Sequence, residues 1–138
     1  MNILIYDQSL KILSLLNRNV AQIFPKANIK ISDNIEDIST ILKSGPFDIA
    51  VVDIDSMNGQ LKSVLNTIHS SNKSAIMITT TSFPNSRVMI KLKTMGINYY
   101  FDKHYQMNDL VDILNVVYLN KPELHKNHAE STLEISPT

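Results

Sequence analysis

Along this chain, short apolar runs alternate with stretches in which apolar residues recur every three or four positions. Ile3 to Ile5 reads as a first strand that ends at Asp7. Leu13, Leu16, Val20 and Ile23 then predict a helix with one buried stripe, broken at Pro25. Ile29 and Ile31 alternate with polar neighbours as a more exposed second strand. Asp33 followed by Glu36 is a capping-box pattern, and Ile35, Ile38, Ile41 and Leu42 continue as a helix stopped by Gly45 and Pro46. Ile49 to Val52 is apolar without alternation, the pattern of a central strand covered on both faces, and it runs into Asp53. After a loop through Asn58 and Gly59, Leu61, Val64, Leu65 and Ile68 predict a third helix.

The second half repeats the pattern. Ala75 to Thr80 is rich in β-branched residues and predicts a fourth strand. Val88, Leu92 and Met95 mark a fourth helix closed by Gly96, and Asn98 to Asp102 gives an aromatic fifth strand. Asn108 is placed to cap a last helix with Leu110, Ile113, Leu114 and Val117 as its buried row. From Asn120 onward no period remains, so the expected organisation is one domain over residues 1–119 and a flexible tail over 120–138. Strands alternating with helices predict an α/β domain with a parallel sheet and helices on both faces.

Composition narrows the function classes. Thirteen Lys plus Arg balance thirteen Asp plus Glu, so no global basic footprint points to nucleic acid. The absence of cysteine excludes disulfides, thiol nucleophiles and thiolate zinc sites. Met1 to Asp7 has no basic leader, and no apolar run approaches the roughly 18 residues a membrane span needs. The expectation is a cytoplasmic protein that engages neither membrane nor nucleic acid. With three glycines in the chain, a P-loop or dinucleotide fingerprint is excluded, and Gln8 Ser9 Leu10 Lys11 is a poor phosphate loop for a flavodoxin-like cofactor binder. His125 and His128 lack the partners of a metal site, and His69 and His104 read as surface residues.

The polar residues that end the strands carry the chemistry. Asp7 and Gln8 end the first, Asp53 the third, Thr79 Thr80 Thr81 the fourth, and Asp102 and Lys103 the fifth. Singly, each has an ordinary role: aspartate caps helices, threonine suits strands, and lysine is solvated. Together they bring two carboxylates, a hydroxyl and an ammonium to the carboxyl edge of one sheet, where ligands of open α/β folds bind. Two carboxylates can hold Mg2+, and an aspartate beside such an ion can attack phosphorus to form an acyl phosphate. Lysine and a hydroxyl then neutralise the phosphoryl oxygens. The chemistry inferred is phosphoryl transfer to Asp53.

Ile3 Leu4 Ile5 Tyr6 Asp7 Gln8 Ser9, Phe47 Asp48 Ile49 Ala50 Val51 Val52 Asp53, and Gly96 Ile97 Asn98 Tyr99 Tyr100 Phe101 Asp102 Lys103 resemble, in order, the acidic corner, phosphoacceptor strand and closing segment of response regulator receiver (CheY-like) domains. The resemblance covers Asn2 to about Leu119. It implies a doubly wound five-stranded parallel sheet, order 2-1-3-4-5, flavodoxin-like and flanked by five helices. It further implies Asp53 as phosphoacceptor, Lys103 as the phosphate-contacting lysine, Asp7 as a metal-site acid, Asp55 as a backbone-carbonyl metal ligand and Tyr100 as an aromatic switch. Gapless counting from Gly96 and Lys103 puts the switch threonine at Thr81, whereas the end of the apolar run favours Thr79 or Thr80. The implied cofactor is Mg2+; the implied partners are a sensor histidine kinase or phosphotransfer protein and a downstream protein target. Such a domain is a signalling phosphoacceptor and not an enzyme, beyond assisting its own phosphorylation.

Three departures qualify this picture. Gln8 stands where the family has a second acid, so it is at most a weak, uncharged metal contact. The loop Ile54 Asp55 Ser56 Met57 Asn58 Gly59 lacks the family's Met-Pro pair and is about two residues short. His104 replaces the proline after the lysine, so no cis bond is expected there. A degenerate pseudo-receiver, a protein-interaction module independent of phosphate, is the competing reading. The residues after Leu119 are too few for a DNA-binding domain, so a stand-alone receiver is expected, docking through a face where Arg87 and Lys91 lie one turn apart. No Lys or Arg lies between Asn108 and Leu119, against a charged dimer interface there.

Overall fold

A computed structural model describes residues 1–97, 99–104 and 107–119. The elements follow one another as β1 (Asn2–Tyr6), α1 (Leu10–Ile23), β2 (Asn28–Ser32), α2 (Ile35–Leu42), β3 (Ile49–Asp53), a 3-10 turn (Ile54–Ser56), α3 (Leu61–Ser71), β4 (Ile76–Thr81), α4 (Ser86–Thr94), β5 (Tyr99–Asp102) and α5 (Met107–Leu119). All strand pairs are parallel, in the order β2-β1-β3-β4-β5. The sheet is therefore doubly wound, as expected. The expected tail at 120–138, with His125 and His128, lies outside the described residues, as does Asn98 at the expected start of the fifth strand.

Alternation along the strands sorts the core into two layers. Ile3, Ile5, Ile49, Val51, Ile76 and Ile78 pack with Leu13, Leu16 and Val20 of α1 and Leu110, Leu114 and Val117 of α5. Leu4, Tyr6, Ala50, Val52 and Met77 pack on the opposite face with Ile38 of α2, Val64, Leu65 and Ile68 of α3, and Leu92 of α4. Every residue of β3 is buried, whereas three of the five residues of the edge strand β2 are exposed. That difference is why β3 reads as a continuous apolar run and β2 as an alternation.

Caps fix the strand-to-helix turns that carry the site. The Ser9 hydroxyl accepts from the Ile12 N–H at α1, and Asn85 Oδ1 accepts from the Val88 N–H at α4. The α2 cap is Asn34, whose Oδ1 accepts from the Glu36 N–H, and not Asp33. Ser32 explains the shift: its hydroxyl accepts from the Asn34 N–H and donates to the Asn34 carbonyl, fixing the turn one residue later. Helix α5 begins at Met107, so Asn108 lies inside its first turn and not at the cap. Strand β4 runs to Thr81, one residue beyond the expected end. Gly96 closes α4 with φ 86°, a left-handed conformation that frees the Ile97 N–H to reach the Leu92 carbonyl.

Candidate functional site

Register places the site. Tyr6 pairs with Val52 and Asp53 with Thr80, so Asp7 comes off β1 beside Asp53 at the carboxyl edge of the central strands. Thr81 pairs with Asp102, which brings Lys103 to the same edge. The Lys103 ammonium lies 2.8 Å from Asp53 Oδ1 and 3.1 Å from Asp7 Oδ2. All three side chains are withdrawn from water, at 6 % exposure or less. The Lys103 N–H donates to the Thr81 carbonyl, which anchors the turn from which the side chain reaches back.

Two carboxylates share one ammonium, and the charges do not balance. Burial pushes the Asp7 carboxyl above its ordinary value, against the Ser9 N–H and the Lys103 ammonium, which lower it; the Asp53 charge adds to the rise. Asp7 Oδ1 accepts from the Ser9 N–H, whereas Oδ2 has the ammonium as charge partner but no aligned donor. For Lys103 burial works against the charge, but its contacts with the Asp53 and Asp7 carboxylates outweigh it and hold the ammonium above its usual range. The ammonium therefore stays charged through neutral pH, and its closer contact belongs to Asp53.

Both oxygens of Asp53 are engaged. Oδ1 accepts from Lys103 and from the Asp55 N–H at 3.0 Å, and Oδ2 accepts from the Ser56 hydroxyl at 2.7 Å. Ser56 is held in turn by Tyr6, whose phenol lies 2.8 Å from both the hydroxyl and the carbonyl oxygen of Ser56. Burial raises the phenol's pKa; the Ser56 bond opposes this and the nearby carboxylates reinforce it, so Tyr6 remains a neutral donor. This Tyr6–Ser56–Asp53 chain is not apparent from the strand-end residues. Its signal is a hydroxyl three residues past a strand-ending carboxylate, a spacing at which a local turn returns the side chain to the acid.

The threonine triplet divides by geometry. Thr79 Oγ1 lies 3.4 Å from the Tyr99 carbonyl, and Thr80 Oγ1 is buried without a hydrogen-bond partner. Thr81 reaches the loop after Asp53: its hydroxyl donates to Asp55 Oδ1 at 2.6 Å and accepts from the Phe83 N–H at 3.0 Å. Asp55 Oδ2 also accepts from the Ser82 N–H at 2.7 Å. The Asp55 side chain, singled out from sequence only for its backbone, thus links β3 to the end of β4.

The remaining residues fall around this centre. Tyr100 is half-buried against the layer of α2, α3 and α4 and is the register partner of Thr79. Gln8 is exposed beside Asp7, and Arg87 and Lys91 are exposed on α4. His69 is not a bare surface residue: its ring is half-buried, with Nε2 3.1 Å from the Ala75 carbonyl. His104 is exposed, and Gly45–Pro46 is the cis bond among the described residues. A cavity of about 490 Å³ between α2 and α3 shares no residue with this edge.

The edge also offers oxygen donors of the kind a divalent cation takes. Among the described residues, no three His, Cys, Asp or Glu side chains converge as a metal cluster. Two buried carboxylates remain, one oxygen lacking an aligned donor, with the Asp55 backbone carbonyl beyond them in sequence. An all-oxygen set of this size fits Mg2+, which commonly takes one or two carboxylates and keeps several waters.

No protein-family model matches the chain, and no curated protein matches it significantly. Solved structures do. A signal receiver domain of a DNA-binding response regulator from Colwellia psychrerythraea superposes with a TM-score of 0.72 at 23 % identity, over 85 % of this chain and 97 % of that one. A response regulator from Thermotoga maritima, solved in complex with Mg2+ and BeF, gives 0.63 at 23 % identity, over 83 % and 96 %. A chemotaxis protein of Vibrio cholerae gives 0.67 at 15 % identity, over 84 % and 97 %. The chain has the fold of response regulator receiver domains, and that fold spans most of its length.

Proposed function

We propose that this chain is a receiver-type module of phosphorelay signalling that accepts a phosphoryl group on Asp53. The observation that carries this reading is the buried Lys103 ammonium, which bridges Asp53 and Asp7 at the carboxyl edge of the sheet. An Asp53 oxygen attacks phosphorus, the bond to the leaving group breaks with its electron pair, and an acyl phosphate forms on Asp53. Lys103 stays at the acceptor and offsets charge on the transferred group, and the Thr81 hydroxyl is the donor nearest the loop that follows. Asp7, Asp53 and the Asp55 carbonyl would hold Mg2+, which supplies charge neutralisation to phosphoryl oxygens when bound. Gln8 adds no charge there, so affinity for the ion is weak.

The phosphodonor in this reading is a sensor histidine kinase or phosphotransfer protein. The recipient of the signal is a protein target docking on the α4 face that carries Arg87 and Lys91. Thr81 and half-buried Tyr100 transmit the change, a local charge biasing a two-state arrangement. The module is not an enzyme toward other substrates, and its place is the cytoplasm; no helix among the described residues is long and apolar enough to cross a membrane. The second reading, a pseudo-receiver that docks without phosphate, is favoured by one observation: the Ser56 hydroxyl already occupies Asp53 Oδ2.

Intact mass after incubation with Mg2+ and acetyl phosphate, beside Asp53→Asn, separates the two. One phosphoryl adduct in the parent alone is the expected result. No adduct in folded parent protein at high Mg2+ overturns the phosphoacceptor reading with that donor and favours the pseudo-receiver.

A further inference from the structure

The end of β4 presents two donors side by side, the Thr81 hydroxyl and the Ser82 N–H. Two adjacent donors of this kind can hold one anion between them, and they face the loop that follows Asp53, since both end on the side chain of Asp55. This cradle is filled. Asp55 gives one carboxylate oxygen to each donor, at 2.6 and 2.7 Å, lengths typical of charge-assisted bonds. The Asp55 backbone N–H meanwhile donates to Asp53 Oδ1, so one residue is tied to the acceptor by its main chain and to β4 by its side chain.

We propose that the Asp55 carboxylate is the resident occupant of this cradle. It holds Thr81 and Ser82 against the loop after Asp53 without phosphate, and a phosphoryl group on Asp53 must displace it to reach the same donors. The second clause rests on the phosphoacceptor reading; the first does not. The two anions exclude each other because the donors are already matched one to one by the carboxylate oxygens. Like charge adds to the competition, as Asp55 stands two residues from the acceptor. Asp55 is an exposed residue, so the tie is breakable and acts as a threshold, not a block. Asp55 is thus a positioning residue that acts through Thr81 and Ser82.

The test uses the full chain and two readouts. Amide exchange at Ser82 and Phe83 is followed by NMR in the parent, Asp55→Ala, Asp55→Asn and Thr81→Val. Beryllofluoride with Mg2+, a phosphoryl analogue, is then titrated into each. Removing the carboxylate should speed exchange at Ser82 about tenfold, with Asp55→Asn between, because one amide oxygen serves one donor and not two. The same removal should tighten beryllofluoride binding about tenfold, a gain that a merely structural role would not produce. Thr81→Val should lose the tie without that gain, because its hydroxyl is missing for either anion. Unchanged Ser82 exchange in Asp55→Ala overturns the proposal, as does binding no tighter than the parent's when both bind. Faster exchange with no binding by any variant overturns the phosphoacceptor reading and upholds the internal tie.

Discussion

Replacing Lys103 with methionine keeps the aliphatic stem and removes the charge that two buried carboxylates share. The contacts of 2.8 and 3.1 Å to one nitrogen bound the separation of the two acids at about 6 Å, where unit charges at an effective dielectric of about 20 repel by roughly 3 kcal/mol. Removing the partner of a buried ion pair costs about 3–5 kcal/mol when the remaining charge has nowhere to go. Lys103→Met should therefore lose about that much stability at pH 8, a fall in Tm of roughly 10 °C or more for a domain of this size. The loss should shrink at pH 4. Asp7 is already pushed upward by burial, and without the ammonium it takes a proton more readily, so its charge is removed and the repulsion with it. Urea denaturation of parent and variant at both pH values, with EDTA present, measures the two differences. A cost under about 1 kcal/mol at pH 8, or an equal cost at pH 4 and pH 8, would refute the reasoning.

Two further outcomes follow from the same centre. Asp7 and Lys103 both hold their protons more tightly in the folded state, so each makes stability fall as pH rises, across different windows. For Asp7 the fall begins at the ordinary value of 3.8 and ends above its raised folded value; for Lys103 it begins at 10.5. Asp7→Asn should flatten the acid window and narrow the alkaline one, because the Asp7 carboxylate helps Lys103 hold its proton; parallel profiles for parent and variant between pH 3.5 and 7 would contradict this assignment. Ser56→Ala should free Asp53 Oδ2 while Tyr6 keeps the backbone carbonyl at position 56 as acceptor. The expected cost is about 1 kcal/mol of stability, with acyl-phosphate formation about fivefold faster, the rate equivalent of one hydrogen bond to the nucleophile. An unchanged or slower rate in a stopped-flow or mass-based time course would sink the idea that Ser56 restrains the acceptor.

What the chain discloses before folding is set by how local each cause is. The β3 run and the α1 stripe are legible because burial on two faces, or on one helical face, writes itself into the pattern of apolar positions. The meeting of Asp7, Asp53 and Lys103 follows once those strands are parallel, since each residue sits at or just past a strand's carboxyl end. The α2 cap was less legible, because Asp33 and Asn34 are both good caps and Ser32 decides between them through a contact that apolar periodicity does not register. The threonines posed the same difficulty. Alternation separates Thr80 from Thr79 and Thr81, but only the carboxylate of Asp55, 26 residues away, marks Thr81 as the one that reaches the loop after Asp53.

The same distinction bears on what the fold can do. The Lys103 bridge follows from topology: any chain with this strand order, two acids and a lysine at these ends would form it. The Ser56 and Asp55 contacts do not, because they depend on side chains in one short loop that the sheet does not need. An Asp53 whose oxygens are all engaged, beside a cradle already holding a carboxylate, has its ground state satisfied by internal hydrogen bonds. A phosphoryl group must then replace two sets of bonds and not merely fill a prepared site. On the phosphoacceptor reading, positions 55 and 56 set the response of this edge more than the acid and lysine that make it recognisable, and Asp55→Ala combined with Ser56→Ala should raise acyl-phosphate yield beyond either change alone. A double variant no better than the single ones would show that the two contacts act as one restraint and not as two.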